Sequence, residues 1–368
     1  MEDNKDTTHH FEESTTEVDS HAEIVTASVA APAVKPLWPG VLLWLALCFA
    51  YVGLAVTGIV EDLWLAAPLI LTLVIAQTLE TAVLVRRLVG LVMILLALSG
   101  IGAGSLILVW KDALDLREEI HAETIVLCVF IGSALVLPCL LRGVRIHLFP
   151  AVGLNPHSSL HTTAAVMFVF TLSMVGWLFV MLSEEPGETI LLDLKDPIIS
   201  LLTDLPLALA GVGFLIRRDL KQSLVRLGFV PITIREVVQA VVVTVPLVLA
   251  VVLFEFAEEV FFPEIHALED RFPLEFANVS PFLGVPALSL AAGVGEEAIF
   301  RGALQPRFGI LLTSLLFAAL HVQYQLPGMI LIFCIGGILG IMRNRKSTTF
   351  TACVHMVYDI IAFSLPDF

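Results

Sequence analysis

Apolar residues run along this chain in eleven long stretches. They lie near 38–60, 63–85, 88–110, 124–141, 160–183, 197–216, 236–257, 284–304, 308–323, 327–342 and 347–364. A run of about 18 or more apolar residues crosses a ~30 Å hydrocarbon core as an α-helix. Polar, turn-forming groups separate the runs, such as "EEPGE" at 184–188 and "QLPG" at 325–328. A membrane β-barrel would instead show short alternating strands. The pattern predicts an all-α, polytopic integral membrane protein with about eleven transmembrane helices.

Composition agrees. Of 368 residues, 58% are hydrophobic and 15% charged, with mean hydropathy +0.93. Soluble domains sit nearer 45–50% apolar and roughly 25% charged. The net charge of −15 owes much to eight acids within residues 1–36. That stretch is polar and short of aromatics, which predicts a disordered cytoplasmic tail. It lacks a basic segment followed by an apolar core, so no cleavable signal peptide is expected. Its histidines, His9, His10 and His21, are expected in solvent rather than on a metal. All five cysteines fall inside apolar runs, where Cys behaves as a small hydrophobe, and no disulfide is expected.

Positive charge alternates between successive loops. One set of loops holds fourteen Lys and Arg, among them Arg217, Arg218, Arg226, Arg307 and Arg343; the other holds Lys111, Arg117, Lys195 and Arg271. An excess of Lys and Arg marks the cytoplasmic side, which predicts the N-terminus inside and the C-terminus outside. The basic segment Arg217 to Glu236 is expected to lie on the anionic inner leaflet. It divides the chain into a region of about six helices at 37–216 and a region at 217–368 that carries nearly all the unusual polar residues.

A charge at mid-bilayer is costly and is usually buried against a partner or a watery cavity. Glu80 lies near a span end beside Arg86 and Arg87 and reads as a cap. Asp204, in "LLTDLPLAL", reads as a proton relay or as a partner to a neighbouring helix. His161 sits at a helix start and reads as a cap. "SGIGAGS" (Ser99 to Ser105) and "GGILG" (Gly336 to Gly340) allow close helix packing.

Three clusters stand apart. In "GEEAIFR", Glu297 and Arg301 are four residues apart and share a helix face, so they can pair. Glu296 points about 100° away. It has no partner on its own helix, which suits a general base. "FAALH" places Phe317 and His321 on one face. "HMVYD" does the same for His355 and Asp359, where a carboxylate one turn away can orient an imidazole.

As patterns these read E-E-x-x-x-R, F-x-x-x-H and H-x-x-x-D, in order between Glu296 and Asp359. This resembles the CAAX protease and bacteriocin-processing family, also called the ABI family of intramembrane proteases. The resemblance implies peptide-bond hydrolysis within the membrane. It assigns Glu296 to activating water and His321 to holding it. His355 and Asp359 would stabilise the oxyanion, and Glu297, Arg301 and Phe317 would support the site. Prenyl-protein members usually carry Asn at the last position. Asp359 is the variant of prokaryotic-type members, and it would orient His355 or be itself protonated. Glu296, His321 and His355 would also make a His₂Glu set like that of some zinc enzymes. No H-E-x-x-H occurs, and glutamate-activated water without an obligatory metal is the expectation. The expected partners are the lipid bilayer and a membrane-associated protein or peptide substrate, with no nucleic acid.

Two other functions compete: a catalytically inactive scaffold or immunity-type protein of the same fold, and a proton-coupled transporter using Asp204 and Glu80. No related halves support a transporter. One tension concerns depth. Counted from the cytoplasmic ends, Glu296 and His355 lie roughly 12 Å deep and His321 nearer ~20 Å. The span carrying His321 is therefore expected to be tilted or to begin elsewhere.

Overall fold

The computed structural model describes residues 37–56, 63–79, 83–110, 120–184, 190–269, 274–276 and 279–364. The tail over 1–36, with its histidines, lies outside the described residues, as do Glu80 and the loop charges Lys111, Arg117 and Arg271.

A helix coincides with each of the eleven expected spans. The N-terminal part holds α1 (Leu37–Val56), α2 (Leu63–Leu79), α3 (Val83–Trp110), α4 (Ile120–Leu140), α5 (Arg142–Ala151), α6 (Ser159–Glu184) and α7 (Lys195–Val212). After it come α8 (Leu220–Leu227), α9 (Ile234–Phe261), α10 (Pro263–Glu269), α11 (Pro281–Glu297), α12 (Gln305–Ala319), α13 (Gln325–Arg345) and α14 (Thr348–Ala362). Among the described residues, seven helical runs are long and apolar enough to cross a membrane; α14 and the apolar part of α2 are shorter. Helix is the answer to an apolar solvent, since it satisfies every backbone polar group within one segment. The described residues contain one short parallel strand pair, β1 (Ile190–Leu192) with β2 (Leu274–Phe276).

One of the seven runs, Pro281–Ala319, is not a single span. Gly309 (φ 74°, ψ 176°) breaks the helix there, a backbone region open to glycine and strained for other residues. The chain folds back at this point. Phe300, nine residues before it, packs edge-on against Phe317, eight residues after it, with ring centroids 4.9 Å apart. This removes the mismatch in count between Glu296 and His321. The first arm runs on to Phe308 and does not stop at 304. Glu296 and His321 are thus thirteen and twelve residues from a common turn. A second correction concerns "QLPG". The turn lies earlier, in the 3₁₀ segment Val322–Tyr324, and Gln325 already begins α13. Pro327 falls in the first helical turn, where a missing N–H costs nothing.

Two apolar clusters hold the site in place. One joins α1, α2 and α7 through Trp44, Tyr51, Ile70 and Ala210. The Trp44 indole N–H donates to the Phe214 carbonyl at 2.9 Å, and the Tyr51 hydroxyl donates to Leu202. Gln77 Nε2 donates to Gly211 at 2.9 Å. The other cluster ties α5 and α6 to the arms around Gly309 through Phe149, Phe168, Phe300, Phe308 and Phe317. The small-residue stretches do pack closely. A Cβ at Gly104 would lie 2.8 Å from Phe130 on α4, and one at Gly336 would lie 3.2 Å from Ser314 on α12. The cap expected of His161 is supplied by Ser158, whose Oγ accepts the His161 N–H at 3.1 Å, while His161 Nδ1 accepts the Asn155 N–H at 2.9 Å, before the helix begins.

Candidate active site

α11 brings the two glutamates into a crowded place. A Cβ at Gly295 would lie 2.7 Å from Asp204 Oδ2 on α7, and one at Gly293 would lie 2.5 Å from Met356 on α14. Only glycine lets these three helices meet at that spacing. Beyond Glu297 the helix widens, and Ala298–Leu304 is π-helical, with the Gln305 N–H bonded to the Phe300 carbonyl. Short π segments tend to occur at functional sites, where they re-aim side chains. Nothing in the hydrophobic pattern announced this one.

Glu297 and Arg301 are both fully buried and form the ion pair their spacing suggested, with Nε–Oε2 3.6 Å. The Arg301 guanidinium also sits over the Phe317 ring, 5.0 Å from its centroid. Its nitrogens make no hydrogen bond among the described residues. A desolvated cation over an aromatic face gains about 2 kcal/mol. Phe317 touches His321 as well (ring centroids 4.7 Å) and reaches His355 edge-on at 6.3 Å. It is the common neighbour of three polar groups from three segments.

His355 is ringed by carboxylates. Its Nδ1 lies 3.3 Å from Glu297 Oε1; its Nε2 lies 3.9 Å from Glu296 Oε2 and 3.7 Å from Asp359 Oδ1. Only the first is within hydrogen-bond reach. The same imidazole thus links the buried glutamate to the other, whose side chain keeps 29% of its surface exposed. His321 lies just past α12, its Nδ1 2.7 Å from the Phe317 carbonyl. A carbonyl only accepts, so Nδ1 carries the proton and Nε2 is left as the acceptor.

Glu296 and His321 line one cavity of about 600 Å³. Its walls are mostly apolar and come from both parts of the chain: Leu69 and Leu73 of α2, Met167 and Phe168 of α6, and Ile299 and Phe300 of the π segment. His355 is not among the lining residues and stands behind Glu296. Asp204 does line the cavity, with Ser200 donating to it at 3.3 Å. Sequence reading left Asp204 open between relay and packing. Its place beside Gly295 depends on how α7 meets α11.

The three residues considered for a metal do not gather. Among the described residues, the one set of three acidic or histidine side chains with donor atoms all within 4.8 Å of one another is Glu255, Glu258 and His266, at the junction of α9 and α10. Zinc bound by N and O donors needs bond lengths near 2.0–2.2 Å. Glu296, His321 and His355 do not meet that demand in this arrangement, and no step below is routed through a metal.

Residues 278–361 match the family described as "Type II CAAX prenyl endopeptidase Rce1-like". The matched segment holds all three motifs, from Glu296 to Asp359, and is the family that those motifs resemble. Among curated proteins, the chain is similar to "Uncharacterized protein YpbD" of Bacillus subtilis (strain 168), 34% identical over 77 residues. That match covers 20% of this chain and 41% of the relative's length. No solved structure matches. The chain is thus an integral membrane protein whose segment 278–361 is similar to the CAAX prenyl endopeptidases.

Proposed function

We propose that this protein is an intramembrane endopeptidase acting on a membrane-associated protein or peptide, with Glu296 as the base that activates water. The observation that carries the reading is the shared cavity. A partly exposed glutamate and a histidine with a free acceptor nitrogen face one mainly apolar chamber large enough for a peptide segment. The family match over 278–361 supports the same class of chemistry.

Water enters between Glu296 and His321. Glu296 takes one proton as the water oxygen bonds to the carbonyl carbon of the substrate, and the carbonyl π electrons move to oxygen. The tetrahedral oxyanion then collapses. The C–N bond breaks, and the leaving amine takes the proton from Glu296. His355, behind Glu296, positions that carboxylate, and Asp359 together with the Glu297–Arg301 pair and Phe317 holds His355 in place. General-base assistance of this kind contributes about 10²–10⁴ in rate. A second reading is an inactive scaffold or immunity-type protein of the same fold. The test compares membrane proteomes of cells carrying wild type or Glu296→Gln. Accumulation of an uncleaved membrane protein in the variant supports proteolysis; identical peptide profiles favour the scaffold.

A further inference from the structure

Four arginines from four separate segments gather about the C-terminal end of α7. α7 ends at Val212, with Gly213 in the left-handed region (φ 84°). Its last carbonyls point at two guanidinium groups. Arg307 Nη2 donates to Gly211 at 3.1 Å, and Arg218 Nη1 donates to Val212. Two cations therefore sit on adjacent carbonyls of one helix end, where the macrodipole is negative. α8 carries Arg226, and its C-terminus is wedged in beside them. A Cβ at Gly302 would lie 2.8 Å from the Leu227 carbonyl, and Thr348 Oγ1 donates to that same carbonyl at 2.6 Å. This contact brings Arg226 up to the end of α13, where Arg343 lies in the last turn.

The helix end alone does not account for the group. Arg226 and Arg343 make no hydrogen bond among the described residues, and no carboxylate there pairs with any of the four. The acid next in sequence, Asp219, is occupied: its Oδ1 accepts the Gln222 N–H at 2.8 Å as the cap of α8. The four side chains are half-buried and repel one another. Burial, then Arg226 and Arg217, pulls the Arg218 guanidinium below its ordinary value; burial, then Arg343, does the same at Arg226. Arg307 feels both Arg226 and Arg218. Holding four like charges together without a counter-charge is unfavourable, and an anion would relieve it. Each guanidinium has five N–H donors in a planar fork that matches phosphoryl oxygens two at a time.

We propose that Arg218, Arg226, Arg307 and Arg343 form a binding site for a phosphoryl group. The group is either the headgroup phosphate of an anionic phospholipid or free phosphate. Arg307 also lines the cavity that holds Glu296, whereas Arg226 and Arg343 do not, and the proposal does not rest on the proteolytic reading.

The experiment measures thermal unfolding of the full chain, wild type against Arg226→Gln/Arg343→Gln. This pair is chosen because neither residue holds the backbone. One arm compares nanodiscs of phosphatidylcholine with nanodiscs containing phosphatidylglycerol. A second titrates inorganic phosphate into detergent-solubilised protein at constant ionic strength, with chloride as the control. If the site takes lipid, phosphatidylglycerol raises the wild-type melting temperature and the double variant loses that rise. If it takes free phosphate, the phosphate titration shows the rise, and the variant binds about 10- to 100-fold more weakly, the loss expected for charge-assisted hydrogen bonds. In phosphatidylcholine without phosphate the variant melts no lower than wild type, because repulsion has been removed. Should the double variant fail to fold, Arg343→Gln alone is read in both arms. The proposal is overturned if neither anion source stabilises wild type over its control, or if the variant responds equally.

Discussion

The helices before and after the basic segment at Arg217 bury different things. Among the described residues of α1–α7, Gln77 is the one fully buried polar side chain, and it answers two carbonyls of α7. The later helices bury Glu258, Ser289, Glu297, Arg301, Gln305, Thr313, Gln325, Thr351 and Asp359. Both parts are helical, yet one is held by apolar and small side chains and the other is organised around polar groups. The cavity lies between them: the early helices supply an apolar wall, and the later ones supply the carboxylates and imidazoles. In a protein surrounded by lipid, apolar side chains gain little by leaving the solvent, so polar contacts and close packing carry more of the specificity.

That contrast is sharpest at Glu296 and Glu297, which are adjacent in sequence. Glu296→Gln should abolish nearly all cleavage of a membrane peptide, by about 10²–10⁴, with an almost unchanged melting temperature. If it lowers stability as much as its neighbour does, the two glutamates do not have separate roles. Glu297→Gln leaves the Arg301 charge buried and uncompensated, which typically costs about 3–5 kcal/mol. It should reduce both yield and melting temperature in detergent. Adding Arg301→Met should recover part of that loss, since replacing both partners of a buried pair is often tolerated; no recovery would show that Arg301 does more than balance Glu297.

Gly295→Ala tests the seam between the two parts. Its new methyl would meet Asp204 Oδ2 at 2.7 Å, and overpacking of this kind costs about 1–3 kcal/mol. Thermal unfolding of the variant should show the loss, and Asp204→Ala on top of it should restore stability if the clash is the cause. The smallest effect belongs to the early helices. Gln77→Leu removes a hydrogen bond worth about 1 kcal/mol. It should lower the melting temperature slightly and leave cleavage intact. A loss of activity there would mean that the wall takes a direct part in the chemistry.

The eleven apolar runs, the pairing of Glu297 with Arg301 and the nearness of Asp359 to His355 were all legible in the sequence. Each is a local matter of helix period or of length against bilayer thickness, and such rules need no knowledge of neighbours. The place of His321 was not legible in the same way. It depends on a reversal at Gly309, and one glycine among many does not declare a left-handed backbone. The π segment, the position of Asp204 against Gly295, and the way His355 stands behind Glu296 were likewise decided only by packing. They arise where helices distant in sequence approach to within a side chain's width, and a spacing rule along one helix carries no information about that distance. The gathering of Arg218, Arg226, Arg307 and Arg343 is of the same kind. Sequence placed each of them in a loop or near a helix end, and the tertiary structure alone set them around a common point, because the carbonyls that receive two of them belong to a helix more than ninety residues before Arg307.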